Sequence, residues 1–242
     1  MPKGIDVSNN NGHVDWSEIA AAGYRYAIAK ATEGLSFVDA FYAENRAGAE
    51  AHGLAFGAYH FFTPGEDAAE QATFFLQHAQ PKHGEIVPTL DYERPPAVRA
   101  PAEAFVTAVK RELGHYPMFY TFLSFAEGMR IPPGSPLAQC PLWLADFTTA
   151  RPAAPRPWHE IVIWQHSSTG KVAGVGGSVD LDAGAPPIDD KAHPITHYDV
   201  LYYGKDRKTR HRVHSTAPTL WQAERPNVKK HGRIVIDPVR KP

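Results

Sequence analysis

Two carboxylates two positions apart, Asp91 and Glu93, end a short apolar segment at residues 87–93. On a β-strand successive side chains alternate faces, so Asp91 and Glu93 lie on one face and Tyr92 on the other. Neighbouring carboxylates repel each other, which drives their pKa values apart. One protonated and one ionised carboxyl is the combination that glycoside hydrolysis requires. A strand end entering a solvated loop gives the same pattern, so the assignment depends on the rest of the chain.

Short apolar runs alternate with amphipathic segments through the first 190 residues, at a spacing typical of parallel βαβ units. The later strands follow one another with Pro- and Gly-rich loops. This order predicts an α/β fold, an irregular TIM-like βα barrel with its site at the C-terminal strand ends. An open doubly wound sheet is the alternative, but no glycine-rich phosphate loop follows the first strand. Strands are expected at 4–8, 26–31, 55–62, 86–93, 117–122, 142–147, 161–166 and 178–182, and helices at 15–22, 37–52, 66–78 and 100–113.

Nearly every predicted strand carries a polar or aromatic residue near its C-terminal end. A single carboxylate in such a place is usually a loop cap, whereas a set of them predicts a common groove. The groove would be acidic and lined by aromatic rings, which suits sugar rings. Its expected members are Asp6, Glu33, Tyr59, Asp91, Glu93, Tyr120, Trp143, Asp146, Gln165 and Asp180.

An ordered set of motifs over residues 3–187 resembles the glycoside hydrolase family 25 lysozymes, also called Chalaropsis-type muramidases. The resemblance implies a barrel of five βα units and three further strands. It also implies cleavage of the β-1,4 bond between N-acetylmuramic acid and N-acetylglucosamine in bacterial peptidoglycan. Among the motifs are Gly4-Ile5-Asp6-Val7-Ser8, Lys30-Ala31-Thr32-Glu33-Gly34, Leu90-Asp91-Tyr92-Glu93, Leu142-Trp143-Leu144-Ala145-Asp146, Ile163-Trp164-Gln165-His166 and Val179-Asp180-Leu181-Asp182.

The resemblance assigns roles to four of the acidic residues. Glu93 is the expected general acid, and Asp91 either orients the substrate's N-acetyl group or activates water. Asp6 and Asp180 would keep Glu93 protonated. The expected substrate-binding residues are Glu33, Tyr59, Tyr120, Trp143, Asp146 and Gln165. The family's last motif commonly ends in Asn, where this chain has Asp182.

Two other functions stay open: an inactive barrel that binds peptidoglycan, and a hydrolase of another N-acetylated glycan such as chitin. Other chemistries find little support. Cys140 is the single cysteine, the thirteen histidines show no zinc-site spacing, and no serine lies in a Gly-x-Ser-x-Gly elbow. We therefore expect neither a metal nor a cofactor. No apolar run reaches the length of a membrane span. No Sec-type signal is recognisable, which predicts synthesis in the cytoplasm and action on the wall after phage-type lysis or dedicated secretion.

The C-terminal region differs from the rest. Residues 195–242 carry eleven Lys/Arg and four Asp/Glu, whereas residues 1–194 carry fourteen and twenty-two. We expect a catalytic barrel at 1–187, then a linker and a small basic β-rich extension at 188–242, with strands at 198–203, 209–214 and 233–236. The extension could bind an anionic envelope polymer, contact a delivery partner, or only pack as a solvated sheet. Nucleic acid is disfavoured, because no recognised motif accompanies the basic residues.

Overall fold

The computed structural model describes residues 1–190, 196–203 and 210–217. Eight strands close into a barrel, and a short ninth strand, β3, extends it beside β2. The barrel unit has strands β1 (Lys3–Val7), β2 (Tyr26–Glu33), β3 (Phe37–Val38), β4 (Ala55–Phe61), β5 (Thr89–Asp91), β6 (Met118–Phe122), β7 (Leu142–Ala145), β8 (Ile163–Gly170) and β9 (Val179–Gly184). The helices are α1 (Trp16–Ala21), α2 (Tyr42–Ala51), α3 (Ala68–Ala79), α4 (Arg99–Leu113) and α5 (Leu123–Gly128).

The strand order is β1-β9-β8-β7-β6-β5-β4-β2, and pairing of β1 with β2 closes the barrel. The pairs β1–β2, β2–β4, β4–β5, β5–β6, β6–β7 and β7–β8 are parallel. Strand β9 runs antiparallel to both β8 and β1, and β3 runs antiparallel to β2. A helix follows each of β1, β2, β4, β5 and β6. The irregular barrel of five βα units and three further strands is therefore confirmed.

Several predicted boundaries were wrong. The strand expected at 86–93 is reduced to Thr89–Asp91, because Pro88 cannot donate a backbone hydrogen bond and Glu93 lies beyond the last pairing. The helix expected from residue 37 begins at Tyr42, and Phe37–Val38 instead pairs with the end of β2. Helix α5 was not predicted.

Local capping agrees with the sequence. The Asp15 side chain accepts hydrogen bonds from the backbone N–H groups of Ser17 and Glu18 at the start of α1. Asp67 accepts one from the N–H of Glu70 at the start of α3. These bonds satisfy helix donors that have no intrahelical partner. They fix where each helix leaves the loop that follows its strand.

The barrel interior is apolar along most of its length and polar at the C-terminal ends of the strands. Its core cluster includes the buried side chains of Tyr26, Ile28, Met118, Trp143 and Ile163. Two glycines make room for it: a Cβ on Gly4 would lie 2.0 Å from the Tyr26 ring, and one on Gly57 would lie 2.9 Å from Ile86 Cβ. The polar residues gather one layer higher, at the C-terminal strand ends.

The barrel's hydrogen bonds extend slightly past the boundary predicted at 187. Ile188 forms an isolated bridge with Ile86, and Asp189 N–H donates to the Glu85 carbonyl at 2.7 Å. Beyond the barrel in the sequence, β10 (Thr196–Tyr203) and β11 (Arg210–Ala217) form an antiparallel pair. The strand predicted at 233–236 lies outside the described residues. None of the helices that could be examined is long and apolar enough to cross a membrane.

Candidate active site

A cavity of about 200 Å³ opens at the C-terminal ends of the barrel strands. All four residues of the predicted acidic quartet contribute to its wall. Three predicted substrate-binding aromatics and Gln165 contribute as well. The full lining is Asp6, Ser8, Asn10, Lys30, Tyr59, Phe61, Asp91, Glu93, Tyr120, Trp143, Gln165 and Asp180. The groove predicted from strand-end residues therefore exists as one site.

The quartet comes from two sides of the barrel. Asp6 on β1 faces Asp180 on β9 in the antiparallel register. Asp91 ends β5, and Glu93 follows two residues later. Asp91 is 6% exposed and Glu93 only half-buried, so a substrate reaches Glu93 more readily.

Tyr92 holds the two catalytic candidates in place from behind. Its side chain is fully buried, with ring centroids 4.8 Å from Phe62 and 5.0 Å from Phe125. Its hydroxyl donates to the Pro96 carbonyl and accepts from the Val98 N–H at 3.1 Å. Because Tyr92 is anchored away from the groove, Asp91 and Glu93 both face into it, as the alternation predicted.

Burial and like charges raise the pKa of both carboxyls. Burial raises the pKa of Asp91 well above its usual range, and the Glu93 charge adds to this. Burial also raises the pKa of Glu93, and the negative charge of Asp180 raises it further. Lys30 opposes the shift at both residues. Asp91 Oδ1 is buried and has no hydrogen-bond partner among the described residues, so it is available to a substrate.

Asp6 is oriented by neutral side chains. Gln165 Nε2 donates to Asp6 Oδ2 at 2.8 Å, and the Tyr120 hydroxyl donates to Gln165 Oε1 at 2.9 Å. Both Tyr120 and Gln165 are buried. These hydrogen bonds show that Tyr120 and Gln165 fix the position of the Asp6 carboxyl.

The sequence did not single out one buried carboxyl beneath the groove. Asp182 is 1% exposed and accepts a 2.9 Å hydrogen bond from Trp143 Nε1. Burial raises the pKa of Asp182 to about 8, and the charge of Asp180 adds to the effect. The signal was present in the sequence, because alternation along β9 puts Asp180 and Asp182 on one face.

The aromatic residues take two positions. Tyr59 lines the cavity and is half-buried, as a residue in contact with a sugar would be. Trp143 is 2% exposed, and its ring meets that of Tyr120 edge-on with centroids 4.7 Å apart. Trp143 therefore belongs mainly to the barrel core.

Two predicted substrate residues do not line the cavity. Glu33 is bound to Lys30 and to Arg94, whose side chain donates to Glu33 Oε1 at 2.8 Å. Asp146 N–H donates to the Gln165 carbonyl at 3.1 Å, and its own carbonyl accepts from Trp164 Nε1 at 2.7 Å. Lys30 is the cation that reaches the groove instead.

Within the described residues, no group of three or more His, Cys, Asp or Glu side chains is placed to hold a metal ion. The groups that line the cavity and can take up or release a proton include the carboxyls of Asp6, Asp91, Glu93 and Asp180. Buried carboxyls with raised pKa values can exchange protons with a substrate near neutral pH.

Carboxyls gathered at the C-terminal strand ends of a closed βα barrel are the arrangement that a barrel hydrolase of the glycosidase type requires. The sequence profile of the glycosyl hydrolases family 25 matches residues 5–175, and the chain belongs to this family. It is therefore a glycosidase, and the resemblance drawn from the motifs is confirmed.

Three similar proteins illustrate the relationship. The chain is 30% identical to an N,O-diacetylmuramidase of Chalaropsis sp. over 201 residues, which cover 74% of this chain and 95% of that protein. It is 31% identical to the uncharacterized protein YegX of Escherichia coli, over 74% of this chain and 68% of the relative. The bacterial lysozyme structure from Streptomyces coelicolor aligns with a TM-score of 0.70 at 29% identity, covering 76% of this chain and 91% of that one.

Proposed function

We propose that this glycosidase is a muramidase, which cleaves the β-1,4 bond between N-acetylmuramic acid and N-acetylglucosamine in bacterial peptidoglycan. The observation that carries the proposal is the joint placement of Asp91 and Glu93 in one groove with Asp6 and Asp180. Relatives named as muramidase and lysozyme support the choice of substrate.

In this mechanism Glu93 is the general acid, because it is the more exposed of the two catalytic candidates and its raised pKa favours the protonated form. It protonates the glycosidic oxygen as the bond to the muramic acid C1 breaks. Positive charge then develops on that sugar, and the ionised carboxylates of the groove stabilise it.

Asp91 has a separate role in the proposal. Its buried oxygen without a partner is suited to accept a hydrogen bond from the substrate's N-acetyl N–H or from the attacking water. In the first case the acetamido oxygen attacks C1 from within the substrate. In the second case water attacks directly, with Asp91 as base.

The alternatives are an inactive peptidoglycan-binding barrel and a hydrolase of another N-acetylated glycan such as chitin. The cluster of carboxyls with raised pKa values favours catalysis over binding alone, because burying them has a cost that a binding site does not need.

The deciding experiment is digestion of purified sacculi followed by mass spectrometry of the products. A muramidase leaves N-acetylmuramic acid at the new reducing ends. Reducing-end N-acetylglucosamine would contradict the proposal, as would release of free stem peptide. Binding without any cleavage would favour the inactive peptidoglycan-binding barrel. Preferential cleavage of chitin oligomers would favour a hydrolase of another N-acetylated glycan.

A further inference from the structure

A line of hydrogen bonds crosses the floor of the groove. The Tyr120 hydroxyl donates to Gln165 Oε1, and Gln165 Nε2 donates to Asp6 Oδ2. At the other end Trp143 Nε1 donates to Asp182 Oδ1. The line thus connects β6, β8 and β1 from one side and β7 and β9 from the other. The Gln165 amide has this orientation because a flip would turn its oxygen toward the carboxylate.

The two parts of the line meet where the Asp182 side chain comes within hydrogen-bonding reach of Asp6, and Asp180, opposite Asp6 in the register, reaches the same carboxyl. All three are acceptors when ionised. Asp182 is 1% exposed, and its second oxygen, Oδ2, has no donor among the described residues. Gly4 lies opposite Asp182 in the β1–β9 register, and the neutral Tyr26 ring occupies the space that a side chain on Gly4 would take. Two buried carboxyls can hydrogen-bond each other only when one of them keeps a proton.

The surroundings favour keeping that proton. The titratable groups that act on the pair are Tyr26, Tyr59, Tyr120, Asp91 and Asp180, which are neutral or acidic. Burial raises the pKa of Asp6 well above its usual range, and the negative charges of Asp182 and Asp180 raise it further. The positive charge of Arg151 opposes the rise in the pKa of Tyr26.

We propose that Asp182 is a positioning residue that shares one proton with Asp6 and so completes the hydrogen-bonded floor beneath Asp91 and Glu93. The shared proton fixes the Asp6 carboxyl and limits the pair to a single negative charge. When the proton leaves, two acceptors face each other and the floor separates. The catalytic consequence rests on the proposed muramidase function, whereas the proton itself does not.

The test is Asp182→Asn. The asparagine keeps the shape, its oxygen still accepts from Trp143, and its amide donates permanently to Asp6. The pair then carries the same single negative charge without a removable proton. We expect turnover in mildly acidic solution within about twofold of the unmodified enzyme, because the hydrogen-bond count is kept.

The informative readout is the alkaline limb of the pH profile of kcat/KM. In the unmodified enzyme activity should fall with the loss of about two protons, one from Glu93 and one from the pair. In Asp182→Asn it should fall with about one. A role in packing alone would not change this number, so an equal steepness in both enzymes would overturn the proposal.

A second readout does not depend on cleavage. Infrared difference spectra at neutral pH should show a protonated-carboxyl carbonyl band of the Asp6–Asp182 pair, in addition to that of Glu93, and Asp182→Asn should remove the band of the pair alone. The matched control is Asp39→Asn, which removes a buried carboxylate whose oxygens accept backbone N–H groups of Asn9 and Phe41 at 2.7 and 2.9 Å. The control should keep the band. If the band is unchanged in Asp182→Asn, the shared proton is refuted. If the band is lost but neither enzyme cleaves sacculi, the proton pair stands and the proposed function fails.

Discussion

Lys30 Nζ lies 2.5 Å from Glu33 Oε2 at the edge of the acidic groove. The Lys30 side chain is 12% exposed, and its ammonium also lies over the rings of Phe37 and Phe61, at 5.1 and 4.8 Å from their centroids. These contacts hold a positive charge beside Asp91 and Glu93. Lys30 therefore limits how far burial can raise the pKa of the two catalytic candidates.

Replacing Lys30 with Gln should move the whole pH profile of cleavage to higher pH. Lys30 lowers the pKa of both Asp91 and Glu93, so its removal raises both. Ionisation of Asp91 would then need a higher pH, and Glu93 would keep its proton to a higher pH. The measurement is kcat/KM across a pH series. Lys171→Gln, at an exposed position, is the control, and an unmoved profile in Lys30→Gln would contradict the prediction.

Glu93→Gln should abolish cleavage without unfolding the protein. The amide keeps the shape but cannot donate the proton, a loss of roughly 10²-fold or more. Circular dichroism and the thermal midpoint should match those of Glu127→Gln, an exposed control on α5, which should retain activity. Near-normal turnover in folded Glu93→Gln would remove Glu93 from the mechanism.

Asp91→Asn should also cripple turnover, and added azide distinguishes its two proposed roles. If Asp91 acts directly as base or nucleophile, azide restores activity by taking over that step. If Asp91 only orients the N-acetyl group, azide has no position from which to replace it. The product anomer, measured by nuclear magnetic resonance in the presence of azide, identifies which face is attacked.

The sequence predicted the barrel because short apolar runs alternate with amphipathic segments, and it predicted the acidic groove because polar residues stand near the ends of most of the predicted strands. It misplaced Glu33 for a physical reason. The pairing of β2 with β4 shifts register between Lys30 and Thr32, and such an irregularity changes which side chains face inward. Nothing in residues 26–33 indicates that irregularity. The partner Arg94 comes from a distant loop, so the ion pair that removes Glu33 from the groove was not visible either.

Gly4→Ala should destabilise the barrel by about 1–3 kcal/mol, the usual cost of overpacking a core. The new Cβ would lie 2.0 Å from the Tyr26 ring, which is itself buried in the barrel interior. Chemical unfolding of Gly4→Ala gives the free energy directly. Gly134→Ala is the matched control, since a Cβ there meets nothing within 4 Å. Equal stabilities would show that Tyr26 can move at no cost.

Acidification should destabilise the protein through His60. This side chain is fully buried between Thr32 Oγ1 at 2.8 Å and Gln71 Oε1 at 3.1 Å, and burial lowers its pKa from 6.5 to about 4. Between these values the unfolded chain binds a proton that the folded protein does not. Stability is therefore lost as the pH falls from 6.5 toward 4, by about 1.4 kcal/mol per pH unit at most.

The measurement is the free energy of unfolding across that pH range for the unmodified protein and for His60→Gln. The variant cannot take up the proton, so its stability should depend less steeply on pH. The difference between the two curves isolates His60 from the carboxyls with raised pKa, which change stability in the opposite direction. Parallel curves would show that His60 is not the group responsible.

A chain ending at Asp190 should fold and cleave soluble muropeptide oligomers almost normally, because the barrel closes within residues 1–190 and residues 188–190 pair or hydrogen-bond with residues 83–86. On intact sacculi its activity should fall, most clearly at low ionic strength. The reason is the excess of seven positive charges in residues 195–242, eleven Lys/Arg against four Asp/Glu, which would attract an anionic envelope polymer and be screened by salt. Comparing both chains on both substrates across a salt series tests this. Equal activity of both chains on both substrates would favour contact with a delivery partner, or a solvated sheet without a binding role, for the basic extension. Loss of folding in the shortened chain would show that the extension stabilises the barrel.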